Sequence, residues 1–341
     1  MDLPKTLVSA LPAVKTACTI ARAVQSDLSR VQQITKDDKS PVTVADFAVQ
    51  ASIALDLSAS LGADLKLVGE EHTRHLRNPD QTLVLEAVVK ALRSAHPSVT
   101  IDQTLAAIDL ASHDASADTY WTLDPIDGTK GFLRGQQYAI ALALIQKGKV
   151  VLGIMGCPNM SADFDRPFDD PDPAGVIFTA ALGHGSYQQS LSGSSTAPIR
   201  IPAHHRTVHT GPRTIRVCES VEASHSKQDD TQRILASLGQ PQSEPARLDS
   251  QGKYSVVARA QADAYLRLPT KKGYVEKIWD HAAGMLIAHE AGCVVTDISN
   301  QPLDFSHGRL LSKNSGIVCA APDIHPRLIG AIADLHITVP A

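Results

Sequence analysis

The hydrophobic positions of this chain change their period several times, and each change marks an element. Between residues 5 and 34, apolar side chains recur at Leu7, Leu11, Val14, Ala17, Cys18, Ala21 and Val24. That three-and-four spacing predicts an amphipathic helix. The polar run Lys36-Asp37-Asp38-Lys39-Ser40-Pro41 interrupts it, and a second helix is expected over 42–61, stopped by Gly62. Residues 65–68 form a short apolar run suited to a buried strand, and it leads straight into Gly69-Glu70-Glu71. Residues 73–118 read as mostly helical with polar gaps. Tyr120-Trp121-Thr122-Leu123 predicts a strand ending at Asp124. Two apolar runs, 139–145 and 150–155, flank Lys147-Gly148-Lys149, which predicts a hairpin. Residues 158–175 and 183–213 are rich in loop-forming residues and read as surface loops without chemistry.

Strands and helices then alternate. Strands are expected at 214–219, 264–268 and 293–296, and helices at 231–238, 255–262 and 281–291, the last closed by Gly292. This pattern predicts an α+β half over 1–213 joined to an α/β half over 214–341. A length of 341 residues suits two packed domains or one large one.

Composition narrows the classes. Hydrophobic residues make up 43% and charged residues 20%, the balance of an ordinary globular core. The net charge is −4, and no basic stripe interleaved with aromatics occurs, so no nucleic-acid polymer is expected as partner. Weak acidity leaves room for an anionic small molecule, because local cations or bound metal ions reverse the field inside a cleft. The five cysteines are widely spaced, with no C-x-x-C, as expected of reduced thiols in a cytoplasmic protein. The first residues lack a compact apolar core followed by a cleavage site, and no apolar run is read as long enough to span a bilayer, so no membrane partner is expected.

The chemistry concentrates in carboxylates at element ends. In Asp124-Pro125-Ile126-Asp127-Gly128-Thr129-Lys130-Gly131, a strand ends and glycine turns the chain toward a helical start. Two carboxylates with the Ile126 carbonyl between them form an oxygen-only donor set, which suits Mg²⁺. The N–H groups of Gly128 and Thr129 would face a phosphate oxygen. The same residues also read as an Asp-Pro turn with a helix cap. Glu70 follows a strand and can point to a sheet edge, or simply face solvent. Asp280, after Trp279, either caps a helix or holds a cation. Asp46 begins an apolar helix, where a surface role is the default.

Together these positions resemble the inositol monophosphatase superfamily of metal-dependent, lithium-sensitive phosphatases. The matching motifs are Gly69-Glu70-Glu71, Trp121-x-Leu123-Asp124-Pro125-Ile126-Asp127-Gly128-Thr129, Trp279-Asp280-x-Ala282-Ala283-Gly284 and His289-Glu290-Ala291-Gly292, in order from about Lys39 to Asp304. Within it the chain looks most like the bisphosphate-nucleotidase branch, on Asp38-Lys39-Ser40-Pro41-Val42-Thr43, Leu248-Asp249-Ser250-Gln251-Gly252-Lys253-Tyr254, Tyr265-Leu266-Arg267-Leu268-Pro269 and Glu276-Lys277-Ile278-Trp279-Asp280-His281. Val221-Glu222-Ala223-Ser224-His225-Ser226 also resembles that branch, but Ala223 and Ser224 depart from the Lys/Gly-type pair expected before the His-Ser.

The resemblance implies a layered αβαβα sandwich of the inositol monophosphatase/fructose-1,6-bisphosphatase type. It implies two to three Mg²⁺ ions, one on Glu70, Asp124 and the Ile126 carbonyl and a second on Asp124, Asp127 and Asp280. Asp46 and Thr129 would activate the attacking water. Gly128, Thr129, His225, Ser250, Lys253, Arg267 and Asp280 would contact substrate. The implied reaction removes the 3′-phosphate of adenosine 3′,5′-bisphosphate to give AMP, with 3′-phosphoadenosine 5′-phosphosulfate as a further substrate. Roles in sulfate assimilation and salt tolerance, and inhibition by Li⁺, Na⁺ and Ca²⁺, come with it. The enzyme is expected to be a monomer. An inositol polyphosphate 1-phosphatase is the alternative substrate class, and a non-catalytic metabolite-binding protein on the same fold the alternative of another class.

Overall fold

The computed structural model describes residues 1–27, 34–35, 41–42, 44–62, 64–192, 197–201, 214–222 and 227–338. Helix α1 (Leu3–Ser26) starts at Asp2, whose carboxylate accepts the Lys5 N–H at 3.1 Å, and buries Val14, Ala17, Cys18, Ala21 and Val24 along one stripe. It ends earlier than its expected limit, because Gln25-Ser26-Asp27 offers no apolar position to the stripe. Two short strands, β1 (Ile34–Thr35) and β2 (Pro41–Val42), pair antiparallel. Helix α2 (Val44–Leu61) is apolar nearly all round and is buried at every position from Val44 to Ala54. By length and hydropathy α1 and α2 both reach the bilayer-spanning range, contrary to the expectation from sequence. Their apolar surface is instead taken up by each other and by a sheet.

That sheet has seven strands in the order β3 to β9: β3 (Leu67–Gly69), β4 (Thr119–Asp127), β5 (Ala139–Gln146), β6 (Lys149–Cys157), β7 (Val176–Ala181), β8 (Gly185–Ser190) and β9 (Ile199–Arg200). β3 and β4 run parallel, with helices α3 (Thr82–Leu92) and α4 (Ile101–Asp109) between them, and every later pairing is antiparallel. Lys147 and Gly148 both take positive φ (50° and 72°), as the two-residue β5–β6 turn requires. The loop expectation for 183–213 is corrected in part: Gly185-Ser186-Tyr187-Gln188-Gln189-Ser190 is a strand, masked by its polar composition.

After the short helix α5 (Thr129–Leu133) and this sheet, the chain builds a second one. It contains β10 (Val217–Glu219), β11 (Ala246–Arg247), β12 (Ala264–Arg267), β13 (Val294–Thr296) and β14 (Ile317–Ala320), in the order β11-β10-β12-β14-β13. Helices α6 (Gln228–Ser237) and α9 (His325–Asp334) cover its outer side, with apolar side chains from Ile215 to Ile337 between. Helices α7 (Gly252–Ala258) and α8 (Ala282–Glu290) lie between the two sheets. α8 presses on β6 so closely that a Cβ at Gly153 would sit 2.9 Å from the Ala283 carbonyl oxygen. On its other side a Cβ at Gly284 would sit 2.4 Å from the Tyr254 ring of α7. The layers are therefore α/β/α/β/α, the expected architecture.

Candidate active site

The centre of the site is the end of β4. Asp124 pairs with Ala141 and Asp127 with Ala139, so three steps on β4 oppose two on β5. Such a bulge re-aims side chains, and Pro125, which has no N–H, fits a position outside the ladder. Gly128 then takes φ 85° and ψ 42°. A Cβ there would lie 3.1 Å from both the Asp249 Cβ and the Ser250 nitrogen, so glycine serves the turn and the close approach at once. The Thr129 hydroxyl donates to the Ile126 carbonyl at 3.1 Å, and the Phe132 N–H donates to the Gly128 carbonyl at 2.9 Å to open α5. The Ile126 oxygen retains a second lone pair.

The fold gathers the five acidic positions singled out in the sequence. Asp124 is 3% exposed and Asp46, in the first turn of the buried α2, is 2% exposed. Burial pushes the Asp124 carboxyl well above the usual range, and the negative charges of Glu70, Asp127, Asp280 and Asp46 push it the same way. Asp280 is raised for the same first reason; Arg267 opposes the shift, and Asp127 and Glu70 add to it. Asp127 is raised by burial against the pull of Lys253, a hydrogen bond from the Gln251 backbone N–H, and Arg267. The Asp124 Oδ1 atom is buried with no hydrogen-bond partner among the described residues.

These facts test the fit to a divalent cation. Asp124, pushed up by burial and by four neighbouring carboxylates and left with an orphaned oxygen, calls for positive charge, and an all-oxygen donor set matches Mg²⁺. A second acidic group, Glu276, Asp280 and His281, is the one whose donor atoms all lie within 4.8 Å of one another among the described residues. It is less suited to a metal. Arg267 donates to both Glu276 oxygens at 2.8 and 2.7 Å, and the His281 ring is already held between Glu276 (3.2 Å) and the Tyr254 hydroxyl (3.0 Å).

The proposed substrate contacts lie on the same side. Arg267 ends β12, with its charge beside Asp280, and its guanidinium also donates to the Tyr274 hydroxyl at 3.2 Å. Lys253 is buried, and its ammonium donates to the Leu248 and Ser250 carbonyls at 3.1 and 2.6 Å, while lying 5.2 Å from the Tyr265 ring centre. It braces the loop before α7 in addition to placing charge there. Ser250 stands against Gly128 with φ 75°. His225 lies outside the described residues. Asp280 does not cap α8; the first N–H groups of that helix are met in part by the Gln251 side chain, which accepts from Gly284 at 2.9 Å.

Gln251, Glu276 and His281 were given no role from the sequence. Nor were Arg134, which pairs with Asp249 and Glu222, or Lys130, which pairs with Glu222 at 2.8 Å. Each partner is distant in sequence or irregularly spaced, so no local period announces it.

Comparison with known proteins finds relatives over nearly the whole chain. A model of the inositol monophosphatase family matches residues 5–336. A 3′(2′),5′-bisphosphate nucleotidase of Schizosaccharomyces pombe is 41% identical over 95% of this chain and 94% of its own. One from Oryza sativa is 40% identical over 96% and 93%, and one from Candida albicans 38% identical over 97% and 96%. Among solved structures, an IMPase from Thermotoga maritima superposes with a TM-score of 0.63 at 18% identity, covering 97% of each chain. CysQ from Bacteroides thetaiotaomicron gives 0.57 at 20% identity, covering 94% of this chain and 98% of its own.

Proposed function

The chain belongs to the inositol monophosphatase family, and from that premise we propose that it hydrolyses the 3′-phosphate of adenosine 3′,5′-bisphosphate in a Mg²⁺-dependent reaction. Relatives near 40% identity over almost the whole chain carry the nucleotidase name, and 3′-phosphoadenosine 5′-phosphosulfate is proposed as a second substrate. The observation that carries the reading is the set of carboxylates around the buried Asp124, with Arg267 fixed beside it.

Glu70, Asp124, Asp127, Asp280 and the Ile126 carbonyl would hold two to three Mg²⁺ ions. Bound there, the cations would neutralise phosphoryl oxygens and make a water acidic enough to attack. Asp46, on the first turn of α2, and the Thr129 hydroxyl, on the first turn of α5, would accept that water's proton. Gly128 allows the Ser250 loop to approach the phosphate position. Arg267 holds the phosphate that is not cleaved, with orientation preset by Glu276. Lys253 adds positive charge beneath the same loop. Competition by Li⁺ or Na⁺ at a Mg²⁺ position and inhibition by Ca²⁺, whose geometry is looser, accompany this reading. A monomer in the cytoplasm, active in sulfate assimilation and salt tolerance, is part of the same proposal. Five free, buried cysteines support the reducing compartment.

The test is phosphate release from adenosine 3′,5′-bisphosphate, 3′-AMP, inositol 1,4-bisphosphate and inositol 1-phosphate, with EDTA and with Mg²⁺ restored. A charge-assisted arginine–phosphate contact contributes ~2–3 kcal/mol. Arg267→Ala should therefore lower kcat/KM for the nucleoside bisphosphate by roughly 30- to 150-fold. The loss on 3′-AMP should be small. Equal losses on both would make Arg267 structural, and full activity in EDTA would remove the metal from the reaction.

A further inference from the structure

Asp127 and Asp280 come from adjacent layers of the fold, one leaving β4 in the seven-stranded sheet and the other preceding α8 in the middle layer. Both are partly buried, and because separate layers carry them they share no element that sets their spacing. Mg²⁺ tolerates little splaying, since it demands near-octahedral oxygens at about 2.0–2.1 Å. Something in the protein has to set their separation before the cation arrives.

Gln251 is placed to do so. It is 2% exposed. Its backbone N–H donates to the Asp127 Oδ2 atom. Its side-chain Nε2 donates to the Trp279 carbonyl at 2.9 Å, and its Oε1 accepts the Gly284 N–H at 2.9 Å. Trp279 and Gly284 flank Asp280 on either side, so both ends of one amide grip the turn that carries it. The backbone of the same residue grips Asp127. The loop that presents Gln251 is itself pinned. Arg134 pairs with Asp249, Lys253 donates to the Leu248 and Ser250 carbonyls, and the bare α-carbon of Gly128 lets the loop lie against the β4 turn.

We infer that Gln251 is a positioning residue that fixes the separation of Asp127 and Asp280 and thereby sets the affinity of the carboxylate site for Mg²⁺. This rests on the metal reading above. A plain helix cap would account for the Gly284 bond alone. It would not account for the bonds to Trp279 and Asp127, which tie the same residue to both sides of the carboxylate set.

The experiment measures Mg²⁺ binding by calorimetry without substrate, alongside the Mg²⁺ concentration that half-activates phosphate release. Gln251→Leu keeps the backbone N–H and most of the volume but loses both amide bonds. Gln251→Asn keeps the amide on a side chain too short to bridge Trp279 and Gly284, and it carries the same comparison should the leucine variant not fold. Ser243→Ala removes a different buried bond, 2.8 Å to the Ile215 carbonyl in the five-stranded half, and serves as the stability control. Either Gln251 variant should weaken Mg²⁺ binding about tenfold, raise the half-activating concentration in step, and leave kcat at saturating Mg²⁺ within a few-fold. The control should leave Mg²⁺ binding unchanged. A folded Gln251 variant whose Mg²⁺ dissociation constant stays within twofold of the parent overturns the inference. Asp127→Asn separates the two layers of the argument. If it abolishes Mg²⁺ binding while the Gln251 variants do not alter it, the positioning role alone falls. If it too leaves binding unchanged, the metal reading falls with it.

Discussion

Glu276 and Asp124 are both buried carboxylates, 7% and 3% exposed, yet their surroundings move them in opposite directions. Around Glu276, Arg267 and His281 supply cationic charge or donors, and the acid is held at about 2 against the cost of burial. Around Asp124 the leading charged neighbours are all carboxylates, and the acid is driven well above its ordinary range. The first cluster is complete within the chain. The second is complete only when something cationic joins it. Burying a carboxylate short of counter-charge costs several kcal/mol, so a fold that sets four further carboxylates around the buried Asp124 suits a cationic ligand. The contrast also tells the two candidate metal groups apart more surely than proximity does, because the tight Glu276–Asp280–His281 trio already contains its counter-charge.

Three experiments bear on that contrast. The largest effect is expected for Asp124→Asn. Phosphate release should fall by about three orders of magnitude, the scale on which loss of one pre-placed electrostatic group acts. The metal-free protein should nonetheless melt at a higher temperature, because a repelling charge has gone. A lower melting temperature in EDTA would break the comparison. Next is Glu276→Gln, which leaves Arg267 buried without its partner and should cost about 3–5 kcal/mol in denaturant unfolding. A neutral result would place Glu276 with the ligand-seeking carboxylates instead.

The smallest effect is in the pH profile. Glu276 titrates at about 2 in the folded chain against 4.5 ordinarily. Its contribution, about 3 kcal/mol by linkage, is present above pH 4.5 and lost as pH falls toward 2. Asp124 and Asp280 behave with the opposite sign. Their folded pKa values are raised, so in chelator the folded state is favoured at low pH and loses that advantage as pH rises through those raised values. Mg²⁺ should abolish the loss on the alkaline side and leave the acid side untouched. Unfolding titrations with and without Mg²⁺ read both limbs.

Much of the site was legible because its residues sit at element ends. Asp124 and Asp127 close a strand, Glu70 follows one, and Asp280 precedes a helix, and such ends are written in the change from apolar to polar runs. Asp46 was harder. Its default reading was a surface position, but α2 is apolar on every face, and a helix apolar all round is buried all round. Gln251, Glu276 and His281 were not legible, since their roles arise from loops meeting in three dimensions. In the fold, the 5–34 helix overshot: α1 ends at Ser26, and Ile34 already belongs to β1. Strand β8 was hidden by its glutamines and serines, two of which, Ser186 and Gln188, are buried against expectation.

Helix α8 has a consequence of another kind. It is flattened against β6 by a glycine on one side and against the Tyr254 ring by a glycine of its own on the other. Separating the two sheets would therefore strip a single helix of packing on both faces at once. Interiors packed this closely behave as bistable or rigid bodies and do not bend gradually. Opening the sandwich along this line costs packing on both faces of α8 together, so that helix couples the two sheets mechanically.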